Sequence, residues 1–230
     1  MVKKDSNQMI LDTLSEKSCV KQRVYDNTYS AFKTFKKVLK YLVGNFNKQL
    51  HVSDKRITLE YRNRGQFEAE IKVAGDLLVF NMHSNIFEFD KGHGVWKTSY
   101  VKNTDMSAYC GIINIYNFLS DSFKYNRVDD LGYLIGRVFI NKENHYFVEG
   151  KRQLGFLYND FGSAVIDKKA IREIIQSAIL YALEFDLLVP PYDQMQFISV
   201  EKMNDRINTS KGKTAKRLGF KFYTDNDVIA

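Results

Sequence analysis

Three sets of residues in this 230-residue chain have types and spacings that could do chemistry. The first is a carboxylate followed two positions on by a lysine, as in Glu70-Ile71-Lys72, Glu149-Gly150-Lys151 and Asp167-Lys168-Lys169. Carboxylates in such a pattern can hold a divalent cation, and the lysine can position or activate a water. A chain with 27 acids and 24 lysines produces about three such tripeptides by chance, so their number decides nothing. Context separates the second from the others. Asp129 and Asp130 precede a predicted strand, a turn follows, and Glu149-Gly150-Lys151 ends the returning strand. Asp130, Glu149 and Lys151 are therefore a candidate set. The competing reading is an exposed strand end carrying a solvated ion pair.

The second set depends on strand register. The register argued below puts Glu60 beside Glu68 beside His83 on the polar face of a sheet, with Thr58, Glu70, Asn81, Glu88 and Lys97 in the next row. Like charges directly opposed on neighbouring strands cost free energy unless something compensates them. A divalent metal on Glu60, Glu68 and His83 would do so. So would Arg62, Lys72 or a basic side chain from a covering helix, and Glu88 has a ready partner in Lys97. A wet, mixed-charge sheet face is the ordinary alternative. His51 and His93 read as loop residues.

The third set is basic. From Asn27 to Ser53 the chain has five lysines and no acid, and from Arg206 to Tyr223 six basic residues and no acid. The formal net charge is +7, so the remainder of the chain is acidic. Lys33, Lys36, Lys37 and Lys40 would form a helical stripe, and Lys211, Lys213, Lys216 and Arg217 a turn-rich patch. Both suit phosphate contacts, which give affinity without sequence specificity. The competing reading is compositional, since lysine, asparagine, isoleucine, phenylalanine and tyrosine are plentiful throughout. Gly212-Lys213-Thr214 ends like a phosphate-binding loop, but the first glycine of that motif would fall at Ile207 and no strand precedes it. Asp160-Phe161-Gly162 imitates a kinase tripeptide without the rest of the kinase set.

The segment from Asp130 to Glu149-Gly150-Lys151 resembles the catalytic core of the restriction-endonuclease-like nucleases over 22 residues. That resemblance implies Mg²⁺ on the acids and a water-positioning role for the lysine. The order of helices and strands in that family is not cleanly reproduced here.

The elements that must position these groups follow from periodicity. Residues 6 to 50 read as helical, with a shorter helix at Ser6 to Lys17 capped by Ser6. Phe32, Phe35, Leu39, Leu42, Val43, Phe46 and Leu50 then make one apolar stripe with the lysines opposite. Residues 57 to 101 read as a five-stranded antiparallel meander. An Asn63-Arg64-Gly65 loop would pair Tyr61 with Phe67, Leu59 with Ala69 and Ile57 with Ile71. A Gly75-Asp76 loop would pair Val73 with Leu78, Ile71 with Phe80 and Ala69 with Met82. A Ser84-Asn85 loop would pair Met82 with Phe87 and Phe80 with Phe89, and the fifth strand is Val95 to Val101. Each pairing puts apolar on apolar, and a one-residue slip would spoil the set.

Residues 106 to 125 fit a helix by length, although Ile113-Asn114-Ile115 and Tyr116-Asn117-Phe118 also alternate as a strand would. Strands follow at Tyr133 to Ile140, His145 to Glu149 and Gln153 to Tyr158. Asp167 caps a helix reaching Asp186. Pro190-Pro191 is a stop, Phe197 to Val200 reads as a short strand, and Leu218 to Tyr223 as another. The expected fold is one α+β domain spanning 1 to 230, an antiparallel sheet packed with N-terminal and C-terminal helices, with a basic C-terminal segment at 203 to 230.

Two cysteines, Cys19 and Cys110, supply no disulfide framework. Asp12 interrupts the apolar start, and the longest uncharged run, Met106 to Ser120, is 15 residues and too polar to span a bilayer. The expectation is a soluble cytoplasmic protein with no membrane partner and no cofactor. Leu131-Gly132-Tyr133-Leu134-Ile135-Gly136-Arg137, Glu149-Gly150-Lys151-Arg152 and Leu188-Val189-Pro190-Pro191-Tyr192-Asp193 together resemble a family of cytoplasmic proteins from Bacteroidetes. The resemblance implies a free-standing bacterial protein and brings no activity, ligand or site residue with it. The leading functional expectation is a non-enzymatic binding protein for an anionic partner, nucleic acid foremost, acting through Lys33 to Lys40 and Lys211 to Arg217. A metal-dependent nuclease or hydrolase using Asp130, Glu149 and Lys151 is the second. An interaction or scaffold domain that binds a protein partner through its sheet is the third.

Overall fold

The computed structural model describes residues 5–50, 54, 57–128, 130–185, 197, 199–201 and 203. Helix α1 (Ser6–Thr13) runs through a π-helical turn at Leu14–Ser18 into α2 (Cys19–Leu50). Ser6 is the first helical residue rather than the cap; Asp5 precedes it in extended conformation, with no side-chain cap bond. Of the expected stripe α2 buries Phe32, Phe35, Leu39, Leu42 and Val43, with Phe46 and Leu50 half-buried, and it adds Val24 and Val38.

Seven antiparallel strands follow: β1 (Leu59–Asn63), β2 (Glu68–Val73), β3 (Asp76–Met82), β4 (Phe87–Glu88), β5 (Tyr109–Leu119), β6 (Tyr133–Ile140) and β7 (Tyr146–Gly150). Their order is β1-β2-β3-β5-β6-β7, and β4 pairs only with the start of β5. Helix α2 and the C-terminal helix α6 (Lys168–Leu183) lie on one face, where Phe32, Phe35, Ile174 and Ile175 meet Ile71, Leu78, Phe80, Ile113, Ile115 and Val138. The α+β class and the helix-on-sheet packing are those expected. Asp167 caps α6 as expected, its carboxylate accepting from the Ala170 N–H at 2.7 Å.

The register differs, and always by an even number of residues. Leu59 pairs with Val73 and Tyr61 with Ile71, four positions from the expectation. Ile71 pairs with Leu78 and Ala69 with Phe80, two positions away. An even slip keeps every side chain on its own face, so the hydrophobic pattern cannot detect it. Local chemistry decides instead. Ala74 takes φ +50° ahead of Gly75, which moves the β2–β3 turn one residue earlier than the glycine suggested. The β1–β2 loop opens around Gly65, at φ +107°, and Lys36 from α2 holds it.

Four expected elements change type. Residues 106 to 125 are not one helix: they form β5, eleven residues long, and then α4 (Ser120–Lys124). Ile113, Ile115 and Leu119 are buried while Ile112, Asn114, Tyr116 and Phe118 are half-buried, so the alternation was the true signal. β3 pairs with β5 rather than with β4, and the expected fifth strand is a 3-10 turn (Gly94–Lys97) followed by α3 (Ser99–Asn103). The His93 and Thr98 side chains accept from the Val95 and Val101 N–H groups, and these caps favour helical turns over a strand. Gln153 to Tyr158 is not a strand either; α5 (Gln153–Phe156) turns back against β7. A Cβ on Gly155 would lie 2.3 Å from the Gly150 carbonyl oxygen, so this reversal requires glycine. Near the end of the described chain Val200 and Glu201 are helical, not strand. The expected strand at Leu218 to Tyr223, and Pro190-Pro191, lie outside the described residues.

On the second face of the sheet, residues 87–108 cover one end of β5–β7 with a smaller core of Val95, Val101, Cys110, Phe139, Phe147 and Phe161. The rest of that face carries Glu60, Arg62, Lys72, Asn81, Asn114 and Arg137, all partly exposed. The edge strand β1 is blunted by α2. Asn47 accepts from the Leu59 N–H and donates to the Leu59 carbonyl, both at 2.8 Å. Among the described residues no helix is long and apolar enough to cross a membrane.

Candidate functional site

The lysine stripe is built by α2 itself. Burying Phe32, Phe35, Leu39 and Leu42 leaves Lys33, Lys37 and Lys40 on the outward side, all exposed. At roughly 100° per residue these three fall within roughly 60° of one another around the helix, and Gly44 and Lys48 continue the same line. Lys36 belongs elsewhere. Its ammonium donates to Asn63 Oδ1 at 3.0 Å, to the Gln66 carbonyl at 3.1 Å and to the Gly65 carbonyl, and so ties α2 to the β1–β2 loop. Burial holds its pKa below the usual lysine value. The sequence grouped four lysines; the structure presents three and uses the fourth as a strut. Lys211, Lys213, Lys216 and Arg217 lie outside the described residues.

Packing of α6 against α2 adds a residue that the linear sequence hid. The Arg172 guanidinium sits 5.7 Å from the Tyr41 ring centroid. Tyr41 follows Lys40 and is 58% exposed, so Arg172 extends the cationic surface across the helix pair. At the other end of the stripe the Lys33 ammonium lies 4.1 Å from the Tyr29 ring centroid. Cation–ring pairs of this kind had no signal in the sequence for Arg172, which stands 131 residues from Tyr41.

The structure separates Glu60, Glu68 and His83. Glu60 faces Lys72 across the β1–β2 pair, and Glu68 faces Asn81 across β2–β3. Glu60 accepts from Arg62 at 2.9 Å and pairs with Lys72 at 3.5 Å. The Arg62 bond, with Lys72 beside it, holds the Glu60 carboxyl below the usual range. His83 accepts from the Asn85 N–H through Nδ1 and packs edge-on to Phe87. Glu70, the one buried glutamate, takes a two-point contact from Arg64 at 2.8 and 3.1 Å. Glu88 pairs with Lys91 rather than Lys97, at 3.0 Å. Glu60, Glu70 and Glu88 are therefore paired with arginine or lysine, while Glu68 faces Asn81. Among the described residues no group of three or more histidines, cysteines and acids could hold a metal ion.

Asp130, Glu149 and Lys151 are divided too. Asp130 is buried against α4, accepting from Ser122 Oγ at 2.6 Å and pairing with Arg127 at 3.1 Å. Glu149 lies on β7 across from Arg137, the fifth residue of β6, whereas Asp130 precedes that strand. The Glu149 carboxylate is bonded to Arg137 and to His93 Nε2, the latter at 2.7 Å. His93 Nδ1 accepts from the Val95 N–H at 3.1 Å, so both ring nitrogens are engaged internally. Lys151 is exposed, and its backbone N–H bonds the Ile135 carbonyl at 2.9 Å. The nuclease-like arrangement is thus not assembled: Asp130 stands before β6 and Glu149 opposite its middle, each with its own basic partner.

The surface also carries concavities. A groove of about 420 Å³ lies where α2 and α6 end over β1 and β2, lined by Phe46, Leu50, Leu59, Ile179 and Leu183. A cleft of about 480 Å³ beside His93 and Glu149 is floored by Phe147 and Phe161. Comparison with known proteins brings no match: no family model fits the chain, and no curated protein and no solved structure aligns with it significantly. Nothing in those comparisons bears on the resemblance to the Bacteroidetes family.

Proposed function

We propose that this protein acts by binding a polyanion, nucleic acid in the first place, through the outward face of α2. The observation that carries the reading is the exposed line of Lys33, Lys37 and Lys40 on α2, within a sequence stretch that has no acid from residue 27 to residue 53, extended by Arg172 from α6. Uncancelled cations on a rigid surface raise the local concentration of an anionic partner and release its counterions on contact. The segment from Lys211 to Arg217 would add phosphate contacts of the same sequence-independent kind. Its two free thiols, one of them exposed, suit a reducing compartment, and we read that compartment as the cytoplasm.

Charge reversal tests the reading. Fluorescence anisotropy of labelled DNA and RNA at about 50 mM salt should show binding by the native chain. Lys33→Glu, Lys37→Glu and Lys40→Glu together should abolish most of it while thermal stability holds. Equal binding by the two proteins would end the proposal.

A second reading has its own observation. Phe123 on α4, Leu131 before β6 and Leu134 on β6 are 50%, 70% and 38% exposed, beside half-buried Tyr116 and Phe118. A protein partner on that face would bury them. Sedimentation of the protein alone and with copurifying material tests it: a monomer with no partner counts against it.

A further inference from the structure

We infer that the basic face of α2 takes single-stranded nucleic acid in preference to a duplex, with Tyr41 as the ring on which an unpaired base stacks. This rests on the polyanion reading and adds to it the state of the strands. Tyr41 is a large ring that the core does not use. It is 58% exposed, directly follows Lys40, and lies one helical turn from Lys37. Arg172 reaches it from α6 at 5.7 Å. An open aromatic ring flanked by ammonium and guanidinium groups is the arrangement that unpaired bases find favourable: the ring and the guanidinium plane offer stacking surface, and the lysines meet the phosphates. A second ring with a cation beside it, Tyr29 under Lys33, stands twelve residues earlier, about 18 Å along the same helix.

Shape points the same way. Along its Tyr41 half, α2 does not project alone; α6 packs beside it. Two packed helices, each about 10 Å wide with axes about 9 Å apart, make a surface close to about 20 Å across. A duplex major groove is about 12 Å wide. The pair cannot enter it, so a duplex would meet only the lysines, at its outer phosphates, and would leave Tyr41 without a base. A single strand meets both. The sugar is left open by this geometry, because stacking on the ring and ammonium contacts to phosphates are common to DNA and RNA.

The experiment uses the full chain and labelled oligo(dT) and oligo(rU) of about 16 nucleotides, with a mixed-sequence duplex of the same length, in anisotropy titrations. The native protein is expected to bind at least one single strand more tightly than the duplex, and the two single-stranded arms say which sugar it prefers. Tyr41→Ala should weaken single-strand binding by between about fivefold and about a hundredfold, the range for losing one stacked base, and leave duplex binding unchanged. Tyr41→Phe should retain single-strand binding, since the ring rather than the hydroxyl does the work. Tyr41 is on the surface, and an unchanged melting temperature will show that the variants are folded. Equal affinity for single strands and duplex, with Tyr41→Ala neutral, overturns this inference and leaves the polyanion reading standing. Absence of binding to all three probes at low salt overturns both.

Discussion

Replacing Lys36 with methionine should weaken the fold and spare the binding face, the reverse of what the same change does at Lys37. The Lys36 ammonium donates to Asn63 Oδ1 and to the Gln66 and Gly65 carbonyls, bridging α2 and the β1–β2 loop. Net values for hydrogen bonds to a charged group reach about 1.5–3 kcal/mol. Here water can re-solvate the loop carbonyls and methionine keeps the aliphatic packing, so the expected loss is about 1–2 kcal/mol. A chain of this size loses about 2–4 °C of melting temperature per kcal/mol, which gives a fall of about 2–8 °C for Lys36→Met. Lys37 is exposed, and Lys37→Met should stay within about 0.5 kcal/mol of the native protein. Thermal unfolding followed by circular dichroism measures both, and amide exchange should show faster opening of residues 63–68 in Lys36→Met alone. Equal melting temperatures for the two variants would refute the strut, as would a Lys36→Met protein that loses as much nucleic-acid affinity as Lys37→Met.

Other consequences are as direct. Cys19 is exposed while Cys110 is buried with its thiol pKa pushed up by burial, so a thiol reagent should titrate one group in the native protein and the second only on unfolding; two fast-reacting thiols would contradict the packing of β5. Burial pushes the Tyr146 phenol up to about 12, whereas an unfolded chain ionises from about 10. The folded state therefore holds its proton in that window while the unfolded state releases it, and stability should fall as pH rises from about 10 to about 12. Denaturant midpoints that stay level across that window would contradict this. Gly44→Ala should stabilise by about 0.5–1 kcal/mol, since nothing lies within 4 Å of the added methyl on an exposed helix face. Gly155→Ala should destabilise by more than about 2 kcal/mol, because its methyl would meet the Gly150 carbonyl at 2.3 Å.

Much of the framework was legible in the residues. The α2 stripe, Asp167 as the cap of α6, and the strands at 133–140 and 146–150 follow from period and capping alone. What the pattern could not supply was anything invariant under an even slip. Leu59 beside Val73 satisfies the sheet as well as Leu59 beside Ala69, and only Ala74 and the Lys36 strut choose between them. β5 was ambiguous because its length suits a helix and both its faces are largely apolar or aromatic. The candidate sites suffered from the same limits. Glu60 and Glu68 were opposed only in the slipped register, and Asp130 and Glu149 were joined by proximity in sequence to β6 and β7 rather than by any packing constraint. The lysine stripe survived because it depends on one helix alone, while Arg172 could not be foreseen without the contact between α2 and α6.

On the proposed face of α2, Lys33, Lys37 and Lys40 meet phosphates together. The salt dependence of single-strand binding between about 50 mM and about 200 mM tests it most directly. Each phosphate contact contributes about 0.7 to the slope of log affinity against log salt. Replacing all three lysines with glutamine should therefore make the slope shallower by about 2. An unchanged slope, with or without weaker binding, would mean that these lysines touch no phosphate and that the basic face of α2 is ordinary solvated charge.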